Sequence, residues 1–139
     1  MIELDDFVKV LTKKNVKFFT GVPDSLLKDF CAYITDNLDK ESHLISSNEG
    51  SAVGLGIGHY LATGNVPLIY MQNSGFGNAI NPILSLASEQ VYGIPMVLFI
   101  GWRGEPGIKD EPQHIHQGKI SEQLLEVMSI PFTVLDCDG

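Results

Sequence analysis

The sequence is short of three things, and each shortage excludes a class of protein. Its 139 residues hold only two cysteines, Cys31 and Cys137, which form no CxxC pair. The pattern of a disulfide scaffold or a zinc ribbon is therefore missing. Basic residues are scarce: nine Lys+Arg against seventeen Asp+Glu give a formal charge of −8. They are also scattered, which argues against nucleic acid or an anionic membrane surface as the main partner. Long hydrophobic runs are missing as well. The longest nearly apolar stretch, Val91 to Trp102, contains Gly93 and Pro95 and falls well below the roughly 20 residues that span a bilayer. The opening MIELDDF is acidic and lacks a basic n-region, so no secretory signal is predicted and the cytoplasm is the default location.

What is present is core. Apolar residues make up 44% and charged residues 19% of the chain, the latter below the roughly 25% of an average soluble domain. The length suits one domain. Leu4, Phe7, Val8 and Leu11 recur at helical spacing up to Asn15, and Val16 to Thr20 reads as a strand that breaks at Gly21-Val22-Pro23-Asp24. Asp24 or Ser25 can cap the next helix, whose apolar face carries Leu27, Phe30, Cys31, Ile34 and Leu38. On that face Cys31 is a small buried apolar residue rather than a nucleophile. A second strand, His43 to Ser46, leads through Ser47-Asn48-Glu49-Gly50 into a glycine-rich helix ending at Thr63-Gly64. Gly50, Ser51, Gly54, Gly58 and Ala62 line one smooth face of it, with Val53, Ile57, Tyr60 and Leu61 on the neighbouring face. Interior glycines cost about 0.5–1 kcal/mol each relative to alanine, so the face predicts a tight packing contact, within the chain or between subunits.

Val66 to Met71 is a third strand, apolar throughout as buried parallel strands are. It runs into Gln72-Asn73-Ser74-Gly75-Phe76-Gly77-Asn78 and a helix to about Ser88. Pro82 either marks the first turn of that helix, capped by Asn81, or kinks a helix begun near Gly75. Pro95 to Ile100 reads as a fourth buried strand, Gly101 to Lys119 as a long loop, Ser121 as the cap of a short helix, and Phe132 to Leu135 as a fifth strand. The alternation predicts a three-layer α/β/α domain with a mostly parallel sheet. The end at Asp136-Cys137-Asp138-Gly139 looks like a cut between domains.

In open parallel sheets ligands sit beyond the carboxyl ends of the strands. Four segments qualify: Gly21 to Ser25, Ser47 to Gly50, Gln72 to Asn78, and the loop from Gly101. Gly54-Leu55-Gly56-Ile57-Gly58 lacks the GxGxxG spacing of a dinucleotide fingerprint and lies inside a helix. His114 and His116 are too sparse for a metal site without a third ligand. Glu49 stands out, although from spacing alone it reads equally as a helix-start carboxylate favoured by the dipole. Asp24 reads as a cap that is compatible with a ligand contact, and His114 as a loop histidine. Arg103, Lys109 and Glu105 read as solvated loop charges or, more sharply, as a lid carrying cations toward an anionic substrate.

Asn48-Glu49-Gly50 opening a glycine-rich helix, then a buried strand, then Gln72 to Ile80, resembles the pyrimidine-binding domain of thiamin-diphosphate-dependent 2-oxo acid decarboxylases. The resemblance covers essentially the whole of residues 1–139. Thr20 to Lys28, Ile100 to Gly107 and Asp110 to His114 are similar to the phosphonopyruvate decarboxylase family. The alpha subunits of sulfopyruvate decarboxylases are similar in the first of these segments and less so in the lid. A non-catalytic α/β interaction module, with Glu49 merely capping a helix, is the reading from another class.

The resemblance implies thiamin diphosphate as cofactor and a small 2-oxo acid as substrate. Glu49 would hydrogen-bond the ring nitrogen of the aminopyrimidine and so promote loss of the thiazolium C2 proton. Asp24 and His114 would handle protons during decarboxylation, with a two-histidine relay in doubt because Ile115 separates His114 from His116. Pro23, Asn73, Ser74, Gly75 and Phe76 would line the cofactor, and Arg103, Lys109 and Ser25 the substrate. Mg²⁺ and the diphosphate would be held by a separate diphosphate-binding domain, on the same polypeptide or another, because the Gly-Asp-Gly motif for them is missing here. A homo-oligomer is the expected assembly.

Overall fold

The computed structural model describes residues 3–135. The first helix, α1 (Leu4–Lys13), carries Asp5 and Asp6 in its first turn and Lys13 in its last, which complements the helix dipole. It ends where Asn15 takes φ 67°, a left-handed conformation that asparagine tolerates. The elements that follow are β1 (Val16–Gly21), α2 (Lys28–Asn37), β2 (His43–Ile45), α3 (Glu49–Thr63), β3 (Val66–Gln72), α4 (Phe76–Pro82), β4 (Val97–Gly101) and α5 (Pro112–Val127). The strands form one parallel sheet in the order β2-β1-β3-β4. Among the described residues no helix is long and apolar enough to cross a membrane.

The predicted three layers are present. Alternate side chains of β3 feed opposite faces of the sheet, which is why the strand is apolar throughout. Leu68 and Tyr70 join Val8, Phe19, Phe30 and Ile34 beneath α1 and α2. Ile69 and Met71 join Ala52, Val53, Ile57, Phe76 and Ala79 beneath α3 and α4, with Leu124, Leu125 and Met128 of α5 packed on that cluster. Phe30 anchors the first layer through an edge-to-face contact with Phe99, ring centroids 4.9 Å apart. Cys31 packs beside this cluster, and burial pushes its thiol pKa up.

Both ends of α3 follow from its sequence. The Asn48 side chain accepts from the Ser51 N–H at 2.8 Å, and Gly64 closes the helix at φ 73° with its N–H on the Tyr60 carbonyl. The close approach to the sheet is made at Gly56, where a Cβ would lie 2.7 Å from Ile69 Cδ1. Gly54 and Gly58 instead face open space. Leu61, on the neighbouring face, is 66% exposed.

Other expectations need correction. Asp24 does not cap α2 directly, since the helix starts at Lys28 without a side-chain cap. The Asp24 carboxylate accepts from the Leu26 N–H and closes the turn before the helix. Of the two roles for Pro82, the later start is excluded. The chain turns through a 3₁₀ segment at Asn73–Gly75, enters α4, and loosens into a π segment, Ile83–Ala87, directly after the proline. The fourth strand begins at Val97 and is half-buried because it is a sheet edge.

The C-terminal part of the Gly101 to Lys119 segment read as loop, from Pro112 on, is helix. Pro112 occupies the first turn of α5, so His114 and His116 are helical and the loop spans only 102–111. Ser121 lies inside that helix and donates to the Gln117 carbonyl. Phe132 to Leu135 form no strand. They find no ladder partner among the described residues, and Phe132, Val134 and Leu135 stay exposed. The break expected at Asp136 to Gly139 lies outside the described residues.

Candidate active site

All four segments singled out in the sequence lie at the carboxyl edge of the sheet. The turn at 22–25 follows β1, 46–48 follows β2, 73–75 follows β3 and the lid loop follows β4. Strand order reverses between β1 and β3, the place where such sheets open a crevice.

Glu49 is the first residue of α3 and is half-buried. Its Oε2 accepts from Asn78 Nδ2 at 2.9 Å. Its Oε1 lies over Gly75, where a Cβ would come within 2.0 Å of that oxygen, so only glycine leaves room for this carboxylate. The described residues supply no hydrogen bond to Oε1.

Asp24 is buried, 7% exposed, and is held from two sides. Leu26 N–H donates to Oδ2 at 3.0 Å and the Gln72 side-chain amide donates to Oδ1. Ser74 donates its hydroxyl to Gln72 Oε1, which fixes the orientation of that amide. Gly101 leaves the space for Asp24, since a Cβ there would lie 2.4 Å from Oδ2. Ser74 thus belongs to the network of one acid while the adjacent Gly75 lies against the other. A single 3₁₀ turn couples the two carboxylates.

The lid is bound down rather than free. Arg103 gives Nε and Nη2 to the two oxygens of Asp110 and Nη1 to Ser25 Oγ at 3.0 Å. The guanidinium beside Asp110 holds that carboxyl well below the usual carboxylate range, and Asp110 raises the Arg103 pKa in turn. Asn73 anchors the base of the lid: its Nδ2 donates to the Arg103 carbonyl at 2.8 Å and to Ser121 Oγ at 2.9 Å, and its Oδ1 accepts from Arg103 N–H. Trp102 Nε1 donates to the Gly118 carbonyl at 2.8 Å. Gly104, at φ 71°, meets α5 backbone to backbone, where a Cβ on Gly118 would lie 1.8 Å from the Gly104 oxygen.

The structure therefore brings Asp24, Ser25, Ser74, Arg103 and Asn73 into one linked set, with Glu49 and Gly75 beside it. Asn73 and Phe76 direct their side chains inward: Asn73 spends its amide on the lid and Phe76 is core. Pro23 is exposed on the turn after β1. Lys109 is exposed and has no ion-pair partner among the described residues. His114 sits in the first turn of α5 with its Nδ1 buried and unpartnered. Gln72, Asn78 and Asp110 carry no role in the sequence reading, although the first two lie inside the quoted motif Gln72 to Ile80 and Asp110 opens the quoted segment Asp110 to His114. Their roles depend on side-chain pairing across 29 to 48 positions or on the folding back of the lid.

As chemistry, the edge offers a carboxylate with one oxygen open, a second buried carboxylate, and an arginine that reaches Ser25 in the turn after β1. Such a set suits the base-bearing end of a nitrogen heterocycle. It does not suit a metal-bound diphosphate, because no group of three His, Cys, Asp or Glu side chains converges among the described residues. A parallel α/β sheet with this polar carboxyl edge is a ligand-binding α/β domain.

The chain belongs to the family described as thiamine pyrophosphate enzyme, N-terminal TPP binding domain, which it matches over residues 4–125. It is 34% identical to a phosphonopyruvate decarboxylase of Streptomyces viridochromogenes over 97% of this chain and 33% of that one. It is 37% identical to a sulfopyruvate decarboxylase subunit alpha of Methanococcus maripaludis over 89% of this chain and 71% of the subunit. The chain thus spans about a third of the phosphonopyruvate decarboxylases it matches. A putative thiamin diphosphate-dependent enzyme from Mycobacterium smegmatis shares the fold, with a TM-score of 0.58 at 22% identity over 72% of this chain and 18% of that one.

Proposed function

We propose that residues 1–139 are the pyrimidine-binding half of a thiamin-diphosphate-dependent carboxy-lyase that converts phosphonopyruvate to phosphonoacetaldehyde and CO₂. The observation that carries this reading is Glu49, held at one oxygen by Asn78 and open at the other. When bound, the cofactor supplies the electron sink for loss of CO₂. Glu49 would face the ring nitrogen of the aminopyrimidine, with the turn Asn73 to Phe76 and Pro23 as neighbouring walls. Asp24 and His114 would hold or pass protons at the reacting carbon. Arg103, Lys109 and Ser25 would receive the anionic tail of the substrate.

The diphosphate and Mg²⁺ are assigned to a complementary domain, on this polypeptide or on a partner subunit, in a homo-oligomeric cytoplasmic enzyme. Sulfopyruvate is the second reading, with this chain as an alpha subunit, and it is favoured by identities of 37% and 38% to sulfopyruvate decarboxylase alpha subunits. Both tails are anionic, so charge alone does not separate them.

Glu49→Gln, assayed with the complementary domain, tests the class. A fall in kcat of more than about tenfold, about 1.4 kcal/mol of barrier, is expected. A smaller loss would reduce Glu49 to a helix-start carboxylate.

A further inference from the structure

Asp110 is the most heavily engaged side chain of the lid. It grips Arg103 through both oxygens, and the same two oxygens accept from the Gly104 and Glu111 N–H groups. The ion pair is sheltered, with side chains 20% and 13% exposed. We propose that Asp110 is a positioning residue for substrate specificity, orienting Arg103 so that its outer edge reads the phosphonate or sulfonate tail of the 2-oxo acid. The proposal rests on the functional reading above and deepens it.

The geometry carries the argument. Arginine has five N–H donors in a rigid fork. Asp110 takes those on Nε and one on Nη2, and Ser25 takes one on Nη1. One N–H on each Nη is left, so the guanidinium keeps two donors for the oxygens of a tetrahedral anion. Ser25 follows directly on Asp24, so the contact at 3.0 Å places Nη1 at the turn carrying the buried acid. Without Asp110 the guanidinium would lose the fork partner that fixes its plane, and the loop would lose two backbone anchors. Arg103 would keep its charge and lose its aim.

The test uses the chain together with its diphosphate-binding half. Asp110→Asn should raise KM for phosphonopyruvate about tenfold more than for pyruvate, the scale of one charge-assisted hydrogen bond, with a much smaller effect on kcat. In the Arg103→Ala background the same change should add nothing further to that discrimination, because Asp110 acts through Arg103. Ser25→Ala, at an exposed position, should shift KM in the same direction by less and covers the case in which Asp110→Asn folds poorly. Phosphonoacetate, an unreactive anion, gives a readout independent of turnover: titration calorimetry should show weaker binding to Asp110→Asn than to the wild type.

Equal KM increases for both substrates, or additivity in the double variant, would overturn the proposal. So would phosphonoacetate binding that is absent in the wild type or equally tight in Asp110→Asn. A wild-type enzyme that decarboxylates neither phosphonopyruvate nor sulfopyruvate would instead sink the proposed reaction, and the phosphonoacetate comparison would still decide the role of Asp110.

Discussion

Gly75 lies directly beneath the Glu49 carboxylate, and the absent side chain at position 75 is what gives that acid its place. A Cβ built there would fall 2.0 Å from Oε1 and 2.3 Å from the carboxyl carbon. The obstacle it would meet is the far end of a flexible side chain, so the acid would move and the backbone would not.

Gly75→Ala should therefore separate activity from stability. The melting temperature should stay within a few degrees of the wild type, a change of under about 1 kcal/mol. Activity of the reconstituted enzyme should fall at least about tenfold. A variant that keeps full activity would show that Glu49 does not need this position.

Gly54 and Gly56, two residues apart on α3 and so on different faces of it, should behave in opposite ways. Gly56→Ala places a methyl 2.7 Å from Ile69 Cδ1 and 3.1 Å from Pro67, an overpacking that should cost about 1–3 kcal/mol in denaturant unfolding. A Cβ at Gly54 meets nothing within 4 Å, so Gly54→Leu should leave the monomer fold intact while weakening assembly in sedimentation. Native-affinity assembly of Gly54→Leu would leave the smooth face without that role.

Stability should fall as the solution is acidified through the histidine range. Burial lowers the pKa of His43 and of His59 below the usual 6.5. His43 Nε2 also lies 2.9 Å from the Tyr70 hydroxyl, whose own pKa burial raises. The unfolded chain then takes up protons before the folded one, so the contribution is fully present above about pH 6.5 and declines below it. Thermal melts from pH 7.5 to 5 should show the fall, and His43→Asn should flatten it. A melting temperature independent of pH over that range would contradict the assignment.

The 139-residue chain alone should release no CO₂ from phosphonopyruvate with cofactor and Mg²⁺ present. The edge described above offers no cluster for the metal, and a chain at −8 repels a polyanion in general. Activity should appear on adding the complementary domain. Sustained turnover without it would refute the half-site reading.

The parallel sheet and its carboxyl edge were legible in the sequence because each depends on local signals. Strand runs such as Val66 to Met71 were continuous, and Asn48 and Gly64 marked the two ends of α3. The region after β4 was misread because Gly, Pro and mixed charge between 101 and 111 masked the start of α5. The usable signal was Pro112 at a first-turn position. Phe132 to Leu135 has strand-like composition, yet a strand exists only where a ladder receives it. The partners of the two acids, Asn78 and Gln72, and the Arg103–Asp110 fork arise from tertiary approach, and no spacing rule announces them.

The contact between Gly104 and Gly118 limits how the lid could diversify. Each added Cβ would strike backbone, at 2.1 Å from the His114 oxygen or 1.8 Å from the Gly104 oxygen, so no smaller neighbour could be exchanged to make room. The two positions form a single inherited constraint, and mutation of either would unseat the lid from its helix. Residues 105–109, between that seat and Asp110, are free of it. Selection for a different acid tail could rewrite the side chains of Glu105, Pro106, Ile108 and Lys109 and leave the loop-to-helix attachment untouched.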